Sequence, residues 1–582
     1  MGRAGSVELV WPGKYDEQGR RAAIPPCEAA LRLDAIHPPD APDAASDRWS
    51  DRLVLGDNLA VLQALLREHA GTADLVYIDP PFATGGAFSV STRVGEGDSP
   101  PEIEAPAYSD RWDGGVGGFL AMLDPRLRLV RELMAPHGSL YIHVDPTVGH
   151  AVKLLADEVF GPDAFQREIV WRIGWVSGFK SAARNWIRNH DLIFFYVKDP
   201  KRFTFNKHYV PYPEGYRRRD GALPKGKGVP MDDVWNASPA ELELRGRDSL
   251  DSIQIKSFST EKSGYATQKN ESLLRRIVTA SSNPGDLVVD AFCGSGTTAV
   301  VAAELGRRFI ACDASAPAIA IATKRVLGQP RRHPLRLESV SPWASEPLLE
   351  PGPYRTLVLE HHGARALDGG GALLQGRVGR ALVHVAAPQH VLGAAELATI
   401  VDAARSRNAV ALHVLAESFE LPAQRESVPG LDLLLLRIGR DLADPRCQAR
   451  TGAALYELPE VELAVHSVGG GELQLELTGY THPHPRRLAE AVRQAVRVPT
   501  DFIDAWSVQW NADGSVHVPD VVHYRTHNRR ALDLCAGPFR PAGKSPARVR
   551  VRIHDIVHQS TTLLVELRRR GRGWSVASMQ QS

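Results

Sequence analysis

The chain has 582 residues, a formal net charge of +1 and five cysteines. At about 150 residues per domain this length predicts three or four domains with ample cores, and the near-zero net charge excludes binding of a polyanion through the field of the whole molecule. The cysteines form no Cys-x-x-Cys pair, which argues against zinc and for the reducing environment of the cytoplasm. No apolar run approaches the roughly 20 residues of a membrane span, and no metal site is predicted.

Residues 1–50 are rich in Pro and Ala and predict an arm that wraps the next domain. The run Leu53-Val54-Leu55 predicts a strand ending at the polar pair Asp57-Asn58, just before a helix over 59–66. Two roles stay open for this pair, capping of the helix or hydrogen bonding to a bound ligand.

The most informative stretch is Asp79-Pro80-Pro81-Phe82, which follows the strand-like run 75–78. An exocyclic amine of a nucleobase is a poor nucleophile, and acceptors on the Asp79 carboxylate and the Pro80 carbonyl would stabilise the positive charge it develops on methylation. Pro81 restricts Pro80 to extended geometry, and Phe82 offers a face for stacking a base. The alternative for an isolated Asp-Pro-Pro is a plain strand end with a Pro-Pro turn.

Two polar regions follow this motif. Residues 83–118 are rich in Gly, Pro, Ser and Glu and predict a long functional loop, with disorder as the simpler alternative. Residues 164–262 interleave cations with aromatic residues and predict a region that reads nucleic acid, with a solvated basic face as the alternative. The candidate cations that would contact phosphates are Arg172, Lys180, Arg184, Arg188, Arg217, Arg218 and Arg219.

A glycine loop comes later in the chain. The strand-like run 287–290 leads into Phe292-Cys293-Gly294-Ser295-Gly296-Thr297-Thr298 and a helix over 297–305. Glycines let a ligand approach the backbone, and the helix start presents free N–H groups. The next strand ends at Asp313, where an acidic residue commonly holds ribose hydroxyls. Neither a Gly-x-Gly-x-x-Gly nor a P-loop pattern is present, which disfavours dinucleotides and nucleoside triphosphates.

The remainder of the chain predicts two further domains. Strand-like runs and one helix with Leu397, Ile400, Val401 and Ala404 on one side predict a small α/β domain over 331–445. Residues 446–582 alternate in a β-rich pattern. In the segment 548–553 every Arg falls on one strand face, for which an ordinary exposed face is the favoured interpretation.

Taken together in this order, the motifs resemble those of the β-class DNA amino-methyltransferases, especially the modification subunits of type III restriction systems. The resemblance covers roughly residues 50–325 and includes Arg131 to Ile142, Asp157 to Gly161, His190 to Phe194 and 266–269. It implies an α/β fold, with a circularly permuted Rossmann-like methyltransferase domain over 51–330 that contains the nucleic-acid-reading insertion. It also implies S-adenosylmethionine as cofactor, bound by Asp57, Asn58, the Thr267-Gln268-Lys269 segment, the residues 292–298 and Asp313.

The resemblance leads to a specific hypothesis, methylation of N6 of adenine in double-stranded DNA after the base is flipped out. Methylation of N4 of cytosine stays open, as does a DNA-binding specificity subunit that no longer methylates. Methylation of glutamine in proteins is disfavoured because its Asn-Pro-Pro-Tyr motif follows the glycine loop. A helicase–nuclease restriction subunit and a second copy of the chain are the further partners that the resemblance suggests.

Overall fold

A computed structural model gives the structure of the protein. It describes residues 8–27, 30–40, 49–82, 87–96, 100–109, 112–173, 184–236, 255, 259, 261–341, 350–367, 369, 371–388, 390–421, 428–439, 455–482, 490–512, 514, 516–541, 546–557, 559–571 and 573–581. The chain forms two compact units. The first contains residues 1–27, 38–91 and 104–340, and the second contains 28–37, 92–103 and 341–582.

The elements up to residue 341 alternate between strands and helices. In chain order they are β1 (Ala30–His37), β2 (Asp51–Leu55), α1 (Asn58–His69), β3 (Ala73–Ile78), β4 (Ala87–Arg93), β5 (Glu102–Ser109), α2 (Val116–Leu133), β6 (Met134–Val144), α3 (Pro146–Phe160), β7 (Phe165–Arg172), β8 (His190–Val197), β9 (Tyr209–Val210), β10 (Val229–Pro230), β11 (Val234–Trp235), α4 (Glu271–Ser281), β12 (Leu287–Asp290), α5 (Thr297–Glu304), β13 (Arg308–Asp313), α6 (Ala316–Leu327) and β14 (Leu335–Ser341).

The later elements are mostly strands. They are α7 (Pro351–His361), β15 (Arg365–Ala366), β16 (Gly376–Val378), β17 (Ala381–Val385), β18 (Val391–Gly393), α8 (Ala394–Arg405), β19 (Ala411–Ala416), β20 (Ser418–Leu421), β21 (Asp432–Ile438), β22 (Leu455–Glu457), β23 (Glu460–Gly469), β24 (Glu472–Thr481), α9 (Glu490–Ala495), β25 (Ile503–Gln509), β26 (Val521–Tyr524), β27 (Cys535–Phe539), β28 (Ala547–Asp555), β29 (Ser560–Arg570) and β30 (Gly573–Gln581). Two short 3₁₀ turns cover Pro162–Ala164 and Pro499–Phe502.

The first unit is built on one large sheet. Within this unit its strand order is β14-β2-β13-β12-β3-β6-β8-β7-β11. The strands from β14 to β6 pair in parallel, whereas β8 runs antiparallel to both of its neighbours, β6 and β7. Parallel strands buried on both faces read as continuous apolar runs, which is how Leu287–Asp290 and Ala73–Ile78 appear in the sequence. The predicted α/β fold is therefore what the first unit adopts.

Helix α4 illustrates how the sheet is covered. Leu273, Leu274, Ile277 and Val278 recur at helical spacing, and all four side chains are fully buried. Burying each of them contributes about 1.5–3 kcal/mol relative to exposure. Asn270 occupies the N-cap position, but its side chain makes no cap hydrogen bond. The packing of this apolar face is thus what holds the helix on the sheet.

The predicted N-terminal arm is divided between the two units. Residues 8–27 belong to the first unit, where the buried Lys14 bonds Glu158 at 2.7 Å and Arg21 pairs with Asp124 and Glu158. Residues 28–37, which include all of β1, belong to the second unit instead. The arm is therefore fixed by ion pairs and strand formation, although its Pro- and Ala-rich sequence shows little periodicity.

The predicted loop over 83–118 contains ordered structure. Its described residues form the two-stranded sheet of β4 and β5, and α2 begins at Val116. Residues 92–103, which include the end of β4 and the start of β5, belong to the second unit, where the Arg525 guanidinium donates to Glu96 at 3.4 Å. Strands form here despite the Gly-, Pro- and Ser-rich composition, so the prediction of a long loop is wrong for 87–93 and 102–109.

The second unit contains three sheets that bear on the predicted split at residue 445. One sheet, β15-β16-β17-β19-β21-β22, lies almost entirely in the predicted α/β domain, and two others, β18-β20-β30-β29-β28-β25-β26 and β23-β24-β27, lie mainly in the predicted β-rich domain. Strands β18 and β20 cross this division, because β20 pairs with β30 from Phe419↔Gln581 to Leu421↔Met579. Residues 341–582 belong to one compact unit, which resumes at residue 341, near the predicted boundary at 330, and the division at 445 stays a prediction.

The Arg-rich strand β28 also departs from expectation. Arg548 is exposed, but Arg550 is buried and donates to Gln509 Oε1 at 3.1 Å and to the carbonyls of Val516 and Gly514. An arginine can satisfy its five donors on neighbouring carbonyls, so its place on a polar strand face does not require exposure. In the part of the chain that the structure describes, no helix has the length and apolar character needed to cross a membrane.

Candidate active site

The two sequence motifs lie at the ends of neighbouring strands. In the parallel pair β12–β3, Val289 is opposite Val76 and Asp290 is opposite Tyr77. Strand β13 flanks β12 on its other side, where Ala311 is opposite Asp290. Because the carboxyl ends of parallel strands meet at one edge of the sheet, residues 79–82, 291–298 and 313 emerge together there. The sheet therefore brings together motifs that are about 200 residues apart in the sequence.

The glycine loop turns sharply at Gly294. This residue has φ +49°, a left-handed conformation that favours glycine, and its amide donates to Asp313 Oδ2 at 2.9 Å. A Cβ at this position would lie 3.2 Å from Cε1 of Tyr265. At Gly296, with φ +77°, an added Cβ would lie 2.5 Å from the Cβ of Ala322. Gly294 thus leaves the space beside Tyr265 that a side chain would fill, whereas Gly296 allows α5 to pack against α6.

Asp313 binds backbone groups with both oxygens. Its Oδ1 accepts from the Ser315 amide at 2.8 Å, in addition to the bond from Gly294 to Oδ2. Burial raises the pKa of Asp313, and these backbone donors oppose the shift. Each carboxylate oxygen has a second lone pair, so the residue retains acceptor capacity for a ligand hydroxyl.

Asp290 closes the loop from inside. Its two oxygens accept from the Phe292 amide at 3.0 Å and from Thr298 Oγ1 at 2.5 Å. Burial is the largest influence on this carboxyl and, with the nearby negative charges of Asp79 and Asp313, raises its pKa to about 7. The site therefore contains a carboxyl group that is poised to titrate near neutral pH.

The remaining loop residues mostly serve the scaffold. Ser295, Thr297 and Thr298 are buried, and Arg325 donates to the Ser295 carbonyl at 2.9 Å and to Thr297 Oγ1 at 2.9 Å. Burial raises the pKa of the Cys293 thiol well above its ordinary value. Phe292 and Gly294 are the loop residues that keep partial exposure. Arg325 belongs to no sequence motif, and it is a structural residue that sequence reasoning missed.

Asp79 has one bonded and one unbonded oxygen. Its Oδ2 forms an ion pair with the ammonium of Lys269, while its Oδ1 is buried and has no hydrogen-bond partner among the residues that the structure describes. The same ammonium lies 5.4 Å from the centroid of the Phe82 ring. Lys269, which the resemblance places beside the cofactor, therefore contacts both ends of the Asp-Pro-Pro-Phe motif.

A buried polar chain runs beneath Phe82. The ring of His143 lies 6.1 Å from that of Phe82, its Nδ1 is 2.8 Å from the Tyr77 hydroxyl and its Nε2 is 3.3 Å from Asp191 Oδ2. Burial opposes ionisation of Asp191, but the hydrogen bond from His143 and the charges of His143, Lys269 and Arg188 lower its pKa to about 2. Tyr77 lies in the strand-like run 75–78 and Asp191 in the segment from His190 to Phe194. The roles of both, like that of His143, depend on contacts between residues that are distant in the sequence.

Asp57 and Asn58 act at the start of α1. Asp57 is its N-cap and accepts from the Leu59 amide at 2.8 Å, as the capping interpretation predicts. Its Oδ1 also accepts from Arg126 at 2.8 Å. The buried Asn58 donates to the Ala291 carbonyl at 2.7 Å and so ties α1 to the base of the glycine loop. Arg126 is a further residue of the site that no sequence motif indicates.

The segment before α4 is folded by its own side chains. Gln268 accepts from the Ser263 amide at 2.8 Å and donates to the Glu261 carbonyl at 2.7 Å. The Lys269 carbonyl accepts from Thr297 Oγ1 at 2.9 Å. Thr267 is partly exposed. This segment is thereby attached to the start of α5.

The candidate DNA-contacting cations are found in different environments. The Arg188 guanidinium forms ion pairs with Asp145 and Asp191, which links it to the chain beneath Phe82. Arg172 is half-buried at the end of β7, Arg184 is exposed, and Lys180 lies outside the described residues. Arg188 is accordingly occupied by acidic partners at the site and is a weaker candidate for a phosphate contact.

A basic loop, residues 211–228, joins β9 to β10. Arg217, Arg218 and Arg219 are exposed on it, and Arg218 pairs with Asp220 at 3.1 Å. The rings of Tyr212 and Tyr216 stack with centroids 5.0 Å apart. The loop also carries Lys225 and Lys227, both exposed. It therefore presents a concentration of positive charge and aromatic surface to solvent.

Comparison with known proteins places these motifs in context. Residues 73–324 match the family described as DNA methylase. Among curated proteins, the chain is 29% identical over 325 residues to type II methyltransferase M.EcaI of Enterobacter cloacae, covering 47% of this chain and 68% of that protein. It is 26% identical over 274 residues to DNA adenine methyltransferase YhdJ of Escherichia coli (strain K12), covering 47% of this chain and 82% of that one.

Solved structures give weaker likenesses. The M1.HpyAVI–SAM complex is 18% identical, with a TM-score of 0.31, and covers 47% of this chain and 98% of its own. PvuII DNA methyltransferase, which is cytosine-N4-specific, is 12% identical with a TM-score of 0.32 and covers 51% of this chain and 90% of its own.

Proposed function

We propose that the chain, whose residues 73–324 match the family described as DNA methylase, transfers a methyl group to N6 of adenine at specific sites in double-stranded DNA. The observation that carries this proposal is the buried, unbonded Oδ1 of Asp79, at a strand end adjacent to the glycine loop. An acceptor without a donor in a buried position is costly unless a ligand completes it. A base amine is the ligand whose chemistry suits it.

The methyl donor of this family is S-adenosylmethionine, and the residues at the strand ends suit it. Gly294 has no side chain to obstruct a ligand over the loop, and Asp313 retains acceptor capacity for ribose hydroxyls. Asp57, at the neighbouring strand end, carries a carboxylate that would attract the amino group of the cofactor. When bound, the cofactor supplies an electrophilic methyl group on a sulfonium, so that a nitrogen–carbon bond forms as a carbon–sulfur bond breaks and the amine releases a proton.

The chain's own residues would prepare the amine for attack. Asp79 Oδ1 would accept one N–H bond, and the Pro80 carbonyl, which two consecutive proline rings restrict, would accept the other. Phe82 would stack on the base, a contact worth roughly 1–3 kcal/mol. A base within the duplex cannot reach a buried carboxylate, so the target must be flipped out, at a cost of a few kcal/mol.

Adenine is favoured over cytosine by two observations. The motif contains Asp79, where cytosine-N4 relatives usually have Ser. One of the matched relatives is named a DNA adenine methyltransferase. The alternative product is N4-methylcytosine, because the same acceptors would serve either amine.

The basic loop 211–228 is the proposed duplex-binding element. Its exposed arginines and lysines suit phosphates, and its tyrosines suit unstacked bases. We also interpret the sheet as a circularly permuted methyltransferase sheet, since the strand before the catalytic motif comes early and the strand before the glycine loop comes late, although the two are neighbours. We propose that the chain acts in a restriction–modification system. A helicase–nuclease subunit and a second copy of the chain are the further proposed partners.

Transfer of label from tritiated S-adenosylmethionine to DNA tests the proposal. The purified chain should label DNA, and mass spectrometry of the nucleosides should find N6-methyladenine. Stoichiometric DNA binding without transfer would instead support a specificity subunit, and N4-methylcytosine would support the cytosine alternative. Sequencing modified bases in DNA from cells that express the chain would then give the recognition site.

A further inference from the structure

Lys269 joins the two motifs of the site. Its ammonium pairs with Asp79 Oδ2 and lies 5.4 Å from the Phe82 ring centroid. Its carbonyl accepts from Thr297 Oγ1, the first residue of α5, at 2.9 Å. A side chain whose backbone is fixed to the glycine-loop helix therefore reaches across to the catalytic strand.

This contact makes the two oxygens of the Asp79 carboxylate different. The side chains of Asp79 and Lys269 are 16% and 13% exposed, so their ion pair is largely shielded from water. A carboxylate bonded through one oxygen cannot rotate freely, and here rotation would exchange the bonded Oδ2 with the buried, unbonded Oδ1. The pair thus fixes which oxygen is held by the protein and which is left open.

We propose that Lys269 is a positioning residue, which holds one oxygen of Asp79 so that the other is presented to the base amine. This inference rests on the proposed function, because it takes Asp79 as the acceptor for the amine. Preorganised acceptors are effective because they need no rearrangement when charge develops. The ammonium beside Phe82 would in addition strengthen the face on which the base stacks.

Three variants separate this role from others. Lys269→Met keeps the length of the side chain and removes its charge, Lys269→Arg keeps the charge, and Lys153→Met is the control, since Lys153 lies on α3 and pairs with Asp157. Single-turnover methyl transfer is measured on plasmid DNA at saturating DNA and cofactor, and cofactor affinity is measured by calorimetry. Asp79→Ala is assayed in parallel.

We expect Lys269→Met to lose transfer by roughly 10²-fold at saturation, the scale of one preorganised polar contact, with cofactor affinity within a few-fold of wild type. Lys269→Arg should recover much of the loss, and Lys153→Met should match wild type. A crystal structure of Lys269→Met should find the Asp79 carboxylate rotated. This structure tests the inference independently of turnover.

Three results would overturn the inference. Wild-type transfer by Lys269→Met, or an Asp79 carboxylate that stays in place in its crystal structure, would show that the ion pair does not position Asp79. Loss of cofactor affinity in step with transfer would make Lys269 a cofactor ligand instead. The proposed function fails separately, if wild type labels no DNA or if Asp79→Ala remains active.

Discussion

Tyr77 and Asp290 are direct neighbours in parallel register on β3 and β12. Two residues after Tyr77 the chain reaches Asp79, and two residues after Asp290 it enters Phe292 and the glycine loop. This one register places the acceptor for an amine beside the proposed site for a sulfonium. A shift of the register would separate them along the strand direction by about 3.3 Å per residue.

Replacing Asp79 should abolish methyl transfer without abolishing cofactor binding. Asp79→Ala removes the open acceptor Oδ1, and a loss of at least about 10²–10³-fold in turnover is expected from the removal of one such group. Tritium transfer measures turnover, and calorimetry measures cofactor affinity. Asp74→Asn, at the amino end of the same strand, is the control and should stay active. An active Asp79→Ala enzyme would refute the mechanism.

Enlarging Gly294 should impair cofactor binding. In Gly294→Val the side chain would start 3.2 Å from Tyr265 and occupy the space over the loop, so cofactor affinity should fall by at least about tenfold, since 1.4 kcal/mol suffices for that loss. Gly285→Val is matched to it, because φ is +90° there and nothing lies within 4 Å of an added Cβ. Both variants carry backbone strain, but calorimetry should find weakened binding in Gly294→Val alone.

Removing charge from the basic loop should weaken DNA binding in a salt-dependent manner. The triple change Arg217→Ala, Arg218→Ala and Arg219→Ala should lower affinity and reduce the slope of log affinity against log salt by up to about 3. The same change at Arg568, Arg569 and Arg570, exposed in the second unit, removes equal charge from elsewhere. Fluorescence anisotropy at several salt concentrations measures both. Equal effects of the two triples would refute the assignment of the loop.

Asp290 should make stability depend on pH near neutrality. Its folded-state pKa, about 7, lies above the ordinary value of 3.8, so the folded state binds a proton that the unfolded state has released. The free energy of unfolding therefore falls as pH rises from about 4 to about 7, by on the order of 4 kcal/mol at most. Asn at this position does not ionise, so the variant Asp290→Asn does not lose stability in this way. The difference between its melting temperature and that of wild type should therefore increase in its favour from pH 5 to pH 8. The surface change Asp163→Asn should give no such trend, and a parallel profile for Asp290→Asn would contradict the prediction.

Much of the fold was accessible from local pattern. The strand-like run 287–290 is β12 residue for residue, and Leu273, Leu274, Ile277 and Val278 recur at the helical spacing that α4 adopts. Such segments are strongly periodic or continuously apolar, and their burial agrees with their propensity. The hairpin at 87–109 and the buried Arg550 were not accessible, because partners distant in sequence decide whether polar segments pair or become buried.

The sequence by itself determined which groups the site contains. The proposed acceptor Asp79, the restricting prolines, the proposed stacking face of Phe82 and the sharp turn at Gly294 follow from residue chemistry, because carboxylates, fixed φ angles and absent side chains act over one or two residues. Only the tertiary structure decided that Lys269 holds Asp79, that His143 links Tyr77 to Asp191 beneath Phe82, and that Arg188 is occupied by two carboxylates. These are contacts between side chains from different strands and loops, and strand order and register, which no single segment encodes, set their distances.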